Sequence, residues 1–557
     1  MKREKILDYF LSLAVVFFVI IPFVRLFIRS FSGDGFISNY SKIFSDPRVI
    51  KAMVNTLIIG IATSFISLLL GSYFAFIIAY TNVKFKVLLK ILTYLPFIVP
   101  SYIMTLAWTN ITSNVGILTK ILNNFGLRKI NLYSITGIIF LMVICNVPFV
   151  YLNVFRALIK VPVNNENASK LLKYTYLQTF KNINLAQIRP VLITSFVLVF
   201  LSSLDNFSIP AFLGVPAGIP VLSTLIYEKT ISVTTGGFTD PAVLALIVFV
   251  MSVFISKLES SILEREKTSK DSKEDTSIRY EFKHSTKFIV ECINFLLLIF
   301  INIVPIAFMV YSSFIDTYVK DFSLSNLTLN NYKSLLSISS IKMSILNSLT
   351  YATLTVVICA FLSIFYGYFK WKNKYKLSMS ILEKGTSISY SLPGMVLALC
   401  MIFHWTKPIP FINIGFYASP VIILIAYITR FLIIDMKSAY QGFNSISRNL
   451  EYAAILSDRS VLKKWFKIFL PLIYRYILTS SLLIFVYSLT ELSLSSILLG
   501  PFTKTIGLLI FNLQQAGDYN LAYAISTIVL IVLLFMYLIM EKINAGGKNE
   551  STDKGNI

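Results

Sequence analysis

Three polar side chains stand where an apolar chain tolerates them least. Asp205 and Asn206 lie well along one apolar run, and Glu491 lies at nearly the same depth in another, 285 residues after Asn206. An ionisable group inside a membrane segment is costly, so acids there mark a solute or ion path by default. Lining an axis between two bundles, the acids can face a passing cation or polar solute. Near the outer interface they would only bond to neighbouring backbone. Other chemistry finds no support. His284 sits in a polar stretch and His404 at the end of an apolar run, neither with a companion at metal-ligand spacing. Cys145, Cys292, Cys359 and Cys400 fall inside apolar runs without paired spacing and read as small packing residues. The stretch "LGPFTKTIG" mimics a phosphate-binding loop but lacks the second glycine before Lys504. No metal site, no bound cofactor and no enzymatic nucleophile, base or ligand cluster is expected.

A second pattern is mechanical rather than chemical. "EYAAILSDRSVLKKWFKIFLP" (451–471) is a basic, two-faced helical segment between long apolar runs, and "ENASKLLKYTYLQTFKNINLA" (166–186) is its twin. Glu166 and Glu451, Ala168 and Ala453, Leu177 and Leu462, Ile183 and Ile468, and Leu185 and Leu470 all share a shift of 285. A helix through "SRNLEYAAIL" should end near Ser457 and Asp458, and a new one should begin after Ser460, whose hydroxyl can cap it. Thr175 holds that place in the first copy. The short first helix is small at its centre, with Ala453 and Ala454 in one copy and Ala168 and Ser169 in the other. Small side chains let another surface approach. One such segment alone could equally lie on lipid as an amphipathic helix. Two at equivalent places favour docking on a two-fold symmetric partner.

The elements that position these residues are membrane spans. Of 557 residues, 56% are hydrophobic and 14% charged, with a mean hydropathy of +0.74, against about a quarter charged in soluble domains. The net charge of +23 fits Lys and Arg in short cytoplasmic loops, which fix membrane orientation, better than it fits nucleic acid. The opening "MKREKILDYFLSLAVVFFVIIPFV" lacks a small-residue cleavage site and reads as an uncleaved first helix. About twelve spans are expected, near residues 8–30, 55–80, 88–110, 133–157, 190–212, 241–258, 286–314, 346–369, 381–405, 417–438, 471–498 and 519–541. Basic loops such as Lys84, Lys86 and Lys90, or Lys370, Lys372 and Lys374, alternate with leaner ones and place both termini inside. Pro96, Pro100 and Pro393 within spans read as kinks.

The mixed-charge stretch 257–284 reads as a solvated tether between two halves that repeat each other. "NTLIIGIATSFISLLLGSYFAF" at Asn55 resembles "NSLTYATLTVVICAFLSIFYGYF" at Asn347, a shift of 292. Pro100 and Pro393 match at 293. The expectation is an all-α polytopic membrane protein of two parallel six-helix repeats related by a pseudo-two-fold axis along the membrane normal. Residues 1–258 form the first half, 259–284 a cytoplasmic charged linker, 285–545 the second half and 546–557 a polar tail.

The two basic loops resemble the coupling loop of binding-protein-dependent ABC importer permeases. That pattern runs Glu-Ala-Ala, three residues, Gly, nine residues, Ile, one residue, Leu-Pro. Here Tyr452-Ala453-Ala454 stands for Glu-Ala-Ala with Glu451 one step early, Asp458 replaces the glycine, and Ile468 and Leu470-Pro471 match. The first copy reads Asn167-Ala168-Ser169, then Lys173 for the glycine, Ile183 and Leu185-Ala186. Segments 205–228 and 490–526 are similar to those following the coupling loops in fused permeases of the ferric-iron branch. Relatives of that architecture also serve thiamine, phosphonates, sulfate, polyamines or sugar phosphates.

The resemblance implies coupling loops at about 158–189 and 439–470. ATPase docking would fall to Glu166, Asn167, Ala168, Ser169 and Lys173, and to Glu451, Tyr452, Ala453, Ala454 and Asp458. It also implies two copies of an ABC ATPase subunit carrying the ATP and Mg, an extracytoplasmic solute-binding protein, and a bacterial cytoplasmic (inner) membrane. The rival is a secondary carrier with six-plus-six parallel repeats, which explains the helix count, the linker and the acids but has no need of duplicated helix–turn–helix loops.

Overall fold

The computed structural model describes residues 2–32, 35–232, 238–263, 275–316, 326–406, 415–447, 449–450 and 461–553. Glu451, Tyr452, Ala453, Ala454 and Asp458 lie outside these residues. Among the described residues the protein is helical, with two isolated β-bridges, Thr81 with Tyr280 and Ile315 with Leu327.

The first half contains α1 (Asp8–Phe31), α2 (Pro47–Tyr80), α3 (Lys86–Ile98), α4 (Ser101–Thr112), α5 (Ile135–Leu158), α6 (Val163–Leu171), α7 (Tyr176–Asp205), α8 (Leu222–Ile231) and α9 (Thr239–Lys257). The second contains α10 (His284–Ser313), α11 (Ser339–Trp371), α12 (Lys376–Ser391), α13 (Gly394–Trp405), α14 (Pro420–Asn444), α15 (Leu470–Thr490), α16 (Ile506–Ala516) and α17 (Tyr519–Ile543). Among the described residues nine helices are long and apolar enough to cross a membrane, or ten if the bent pair beginning with α3 is one span. With α12–α13 and α14 they fill the places of the twelve expected runs.

Two of those runs are not single spans. The helices on either side of Val99-Pro100 diverge by 103°, because Pro100 has no N–H to donate and drives Val99 extended (φ −86°, ψ 122°). Pro393 does the same to Leu392 (φ −79°, ψ 142°), separating α12 from α13. α14 spans 25 residues and carries Arg430, Asp435 and Lys437, which set it apart from the apolar helices.

In lipid, close packing rather than the hydrophobic effect draws helices together, so small residues mark the tightest approaches. A Cβ at Gly71 on α2 would come within 2.6 Å of Val150 on α5. The same role falls to Gly367 on α11, where a Cβ would lie 2.9 Å from Phe443 and 3.0 Å from Ala439 of α14.

The halves exchange their first helices. The Asp8 carboxylate of α1 accepts from the Leu377 and Ser378 backbone N–H groups (3.3 and 3.0 Å) at the start of α12, and Arg25 donates to the His404 carbonyl at the end of α13 (2.6 Å). Reciprocally, the Glu291 carboxylate of α10 accepts from the Lys84 N–H before α3 (2.5 Å). Asn302 donates to the Leu92 carbonyl (2.9 Å), and the Trp108 indole donates to the Ile301 carbonyl (3.2 Å). Acids 283 residues apart in sequence thus hold comparable places in both copies: Asp8 takes two free N–H groups in the first turn of α12, and Glu291 takes one just before α3.

Candidate functional site: an axial cavity and a basic loop

Four chain breaks meet at one place. α7 ends at Asp205 and α15 at Thr490, positions 285 apart, and both meet the breaks at Pro100 and Pro393. Irregular backbone at membrane depth is tolerated only where it is buried in protein or lines a cavity. Here a cavity of about 210 Å³ is lined by Ser101, Tyr102, Asp205, Asn206, Arg430 and Glu491 together with neighbouring residues. The sequence-chosen residues therefore do converge.

Their bonds differ in kind. Asn206 Oδ1 accepts from the Ile209 N–H (3.1 Å) and Glu491 Oε1 from the Leu494 N–H (2.9 Å), three residues on in both cases. These equivalent side chains cap the backbone that restarts after each break. Asp205 instead crosses between halves. Its Oδ1 accepts from the Gly394 N–H (2.6 Å) and its Oδ2 from Arg430 Nη2 (2.7 Å). Gly394 opens α13, whose N-terminal N–H groups favour an anion. A Cβ at that position would collide with Arg430 Nη1, so glycine is what lets the guanidinium close on the helix start.

The Arg430 side chain is 8% exposed and that of Asp205 35%. Arg430 is the site residue that sequence reasoning missed. A lone arginine in an apolar run was the available signal, and Cys145 stands at its place in the first half by the shift of 285. Asp435, also on α14, is fully buried and accepts from the Ser481 hydroxyl (3.3 Å); it too was overlooked.

The first basic loop shows the expected break. α6 ends at Leu171, and Thr175 caps the next helix in a reciprocal arrangement. Its hydroxyl accepts from the Gln178 N–H (3.3 Å), while Gln178 Oε1 accepts from the Thr175 N–H (2.9 Å). Lys173, at the glycine position of the family pattern, is left-handed (φ 59°), the conformation glycine adopts without steric cost. Asn167, Ala168 and Lys173 are exposed. Glu166 and Ser169 are not, at 3% and 1%. The Glu166 carboxylate accepts from Asn184 (2.6 Å) and from Arg279 (2.5 Å), so it holds the loop together rather than presenting a contact face. Apolar side chains are prominent on the outward face, with Leu171 at 85%, Leu172 at 70%, Tyr176 at 65% and Leu177 at 77% exposure, and patches of this kind mark interaction sites.

The solvated tether is corrected for residues 275–283, which dock on this loop. The Asp275 N–H donates to the Ile159 carbonyl (2.6 Å), the Arg279 and Tyr280 N–H groups donate to the Tyr80 carbonyl (2.8 and 3.0 Å), and the Phe282 N–H donates to Asn82 Oδ1 (3.1 Å). Burial first, then the nearby Glu166 charge, pushes the Tyr280 hydroxyl up to about 12. The Ser277 backbone N–H holds the Asp275 carboxyl below its usual range. Composition suggested a free segment, because a mixed-charge stretch has few apolar residues to bury. It docks instead through backbone bonds and one buried guanidinium.

A helical membrane protein with paired repeats, helix breaks gathered at a polar cavity and a helix–turn–helix loop between the fourth and fifth spans of its first half has the plan of a transport permease. The chain matches the family model of the binding-protein-dependent transport system inner membrane component twice, at residues 67–262 and 361–545. It belongs to that family, the multi-pass inner-membrane permease component of ABC importers, which work with an ATPase and a binding protein. It is 25% identical over 545 residues to the ferric transport system permease protein FbpB of Actinobacillus pleuropneumoniae, covering 95% of this chain and 76% of that protein. It is 26% identical to the putative ferric transport system permease protein FbpB 1 of Haemophilus influenzae, covering 86% and 76%. A putative 2-aminoethylphosphonate transport system permease protein, PhnU of Salmonella typhi, is 26% identical over 253 residues, which are 44% of this chain and 86% of that relative. The shorter relative thus matches about one half of the fused chain.

Proposed function

We propose that this chain forms the translocation pathway of an importer for ferric iron, with both halves in one polypeptide. The observation that carries the cargo is the likeness to ferric transport permeases along 95% of the chain. In this reading both termini and both basic loops face the cytoplasm. Each loop seats one of two ATPase subunits, which hold the ATP and Mg, and an extracytoplasmic binding protein delivers the solute. The axial cavity is the path. Asp205, Asn206 and Glu491 line it, and the Asp205–Arg430 bridge must part when the halves rock, since a population shift requires contacts that differ between the two states.

A second reading keeps the class and changes the cargo to an oxyanion. Arg430 places a cation in the path, and the sulfate transport system permease protein CysT of Salmonella typhimurium is 27% identical over 38% of this chain. Uptake of radiolabelled ferric iron, sulfate and 2-aminoethylphosphonate by proteoliposomes holding permease, ATPase and binding protein separates these readings. ATP-dependent uptake of iron alone supports the first; uptake driven by an ion gradient without the ATPase would refute both. Neutralising Asp205 and Glu491 together should change uptake while the permease still inserts, and unchanged uptake would remove both acids from the path.

A further inference from the structure

We propose that residues 275–283 are a built-in clamp on the first coupling loop, with Arg279 as its positioning residue. The clamp orients that loop's docking face and ties it mechanically to α10, the helix the second half lays across the first. This rests on the permease reading above and adds a part to it: residues 275–283 of the segment between the halves belong to the first ATPase dock.

Arg279 is 8% exposed and its guanidinium is used on three sides. Nη1 bonds Glu166 (2.5 Å), Nη2 donates to the Val161 carbonyl (2.6 Å), and the plane lies over the Tyr80 ring at 4.5 Å. Asn184 reaches Glu166 and the Tyr80 hydroxyl (3.1 Å), and that hydroxyl donates to the Leu158 carbonyl (3.0 Å). The cluster therefore joins the end of α2, the end of α5, α6, the start of α7 and the linker. A buried ion pair adds little net stability but fixes geometry, and removing one partner strands the other's charge. Glu166 sits on α6, five residues before the exposed Leu171 that ends it, and Ser169 Oγ donates to the Glu166 carbonyl (2.7 Å). The clamp also touches the second loop helix, where Tyr280 packs on Tyr176 at 5.4 Å between ring centroids.

The mechanical tie runs onward through few residues. Asn82 and Phe282 bond each other reciprocally. α10 begins at His284, and its Glu291 bonds the Lys84 N–H. Motion of the first loop is delivered to the second half through this short path as well as across the axial cavity.

The test uses the full permease co-expressed with its ATPase, carrying either Leu177→Cys on the first loop or Phe466→Cys on the second, and a thiol-to-amine crosslinker. Arg279→Ala should leave the permease in the membrane and cut the crosslink from position 177 roughly tenfold, with the crosslink from position 466 unchanged, because the stranded Glu166 charge forces α6 to rearrange. Arg279→Lys should lose only about threefold, since an ammonium keeps the charge but cannot serve three sides at once. If Arg279→Ala fails to accumulate, Arg279→Lys and Glu166→Gln decide the matter by the same ratio of the two crosslinks. Equal yields at position 177 with and without Arg279, or parallel losses at both positions, would overturn the clamp. No crosslink from either loop of the unaltered permease would instead overturn the ATPase dock itself.

Discussion

The two basic loops hold equivalent places in the repeat and are braced by different chemistry. In the first, Asn184 completes a buried polar cluster with Glu166, Tyr80 and Arg279. In the second, Phe469 occupies the position of Asn184 by the shift of 285. It packs among Tyr368, Trp371 and Phe443 at centroid distances of 6.1, 6.2 and 6.4 Å. One contact is common to both. Phe180 meets Phe76 at 5.2 Å and Trp465 meets Tyr368 at 4.9 Å, pairs related by shifts of 285 and 292. This aromatic contact therefore belongs to the duplicated unit. The polar cluster is instead particular to the first loop as described, because its arginine, Arg279, comes from the segment that joins the two halves.

The sharpest way to break this contrast is to transplant one brace into the other loop. Asn184→Phe should cost about 3 kcal/mol or more, as it overfills the site and leaves Glu166 with one donor fewer. A lowered unfolding midpoint in detergent would report it, and a midpoint equal to the unaltered protein's would deny the difference. Docking comes next. Ala168→Glu and Ala453→Glu should each lower ATP-driven uptake by about tenfold, equivalent to ~1.4 kcal/mol of lost coupling, with the permease still inserted. Persistent co-purification of the ATPase and of solute-stimulated hydrolysis would reject the loops as docks.

Smaller effects test what the loops share. Phe180→Ala and Trp465→Ala should destabilise to a similar degree, by about 1–3 kcal/mol for these half-buried rings. A large inequality in thermal unfolding would mean that the aromatic contact is not a common part. The smallest expected change is a gain. Lys173→Gly should stabilise the first loop by about 1 kcal/mol, since a left-handed residue with a Cβ carries that strain. Slower proteolysis within 163–179 would show it.

Much of this was readable from the sequence. Apolar runs marked the span positions, and the shift of 285 marked the loops, the turn at Thr175 and the depth of Asn206 and Glu491. All are local or periodic properties. Pro100 and Pro393 were read as kinks, yet each ends one helix and starts another. How far a proline bends a membrane helix depends on what receives the freed backbone groups, here Asp205 at the Gly394 N–H. Glu166 was read as a docking residue because it opens the stretch that resembles a coupling loop; its burial depends on Arg279, 113 residues away.

The sequence by itself determined the class of protein, its duplicated plan and the places where polarity enters the membrane, because composition and period act within a few turns of helix. Tertiary structure alone decided which charges meet. Arg430 with Asp205, Arg279 with Glu166 and the exchanged acids Asp8 and Glu291 are pairings across 113 to 370 residues. No local pattern announces them, since a buried charge takes whichever donor or acceptor the packing of distant helices brings within bonding reach.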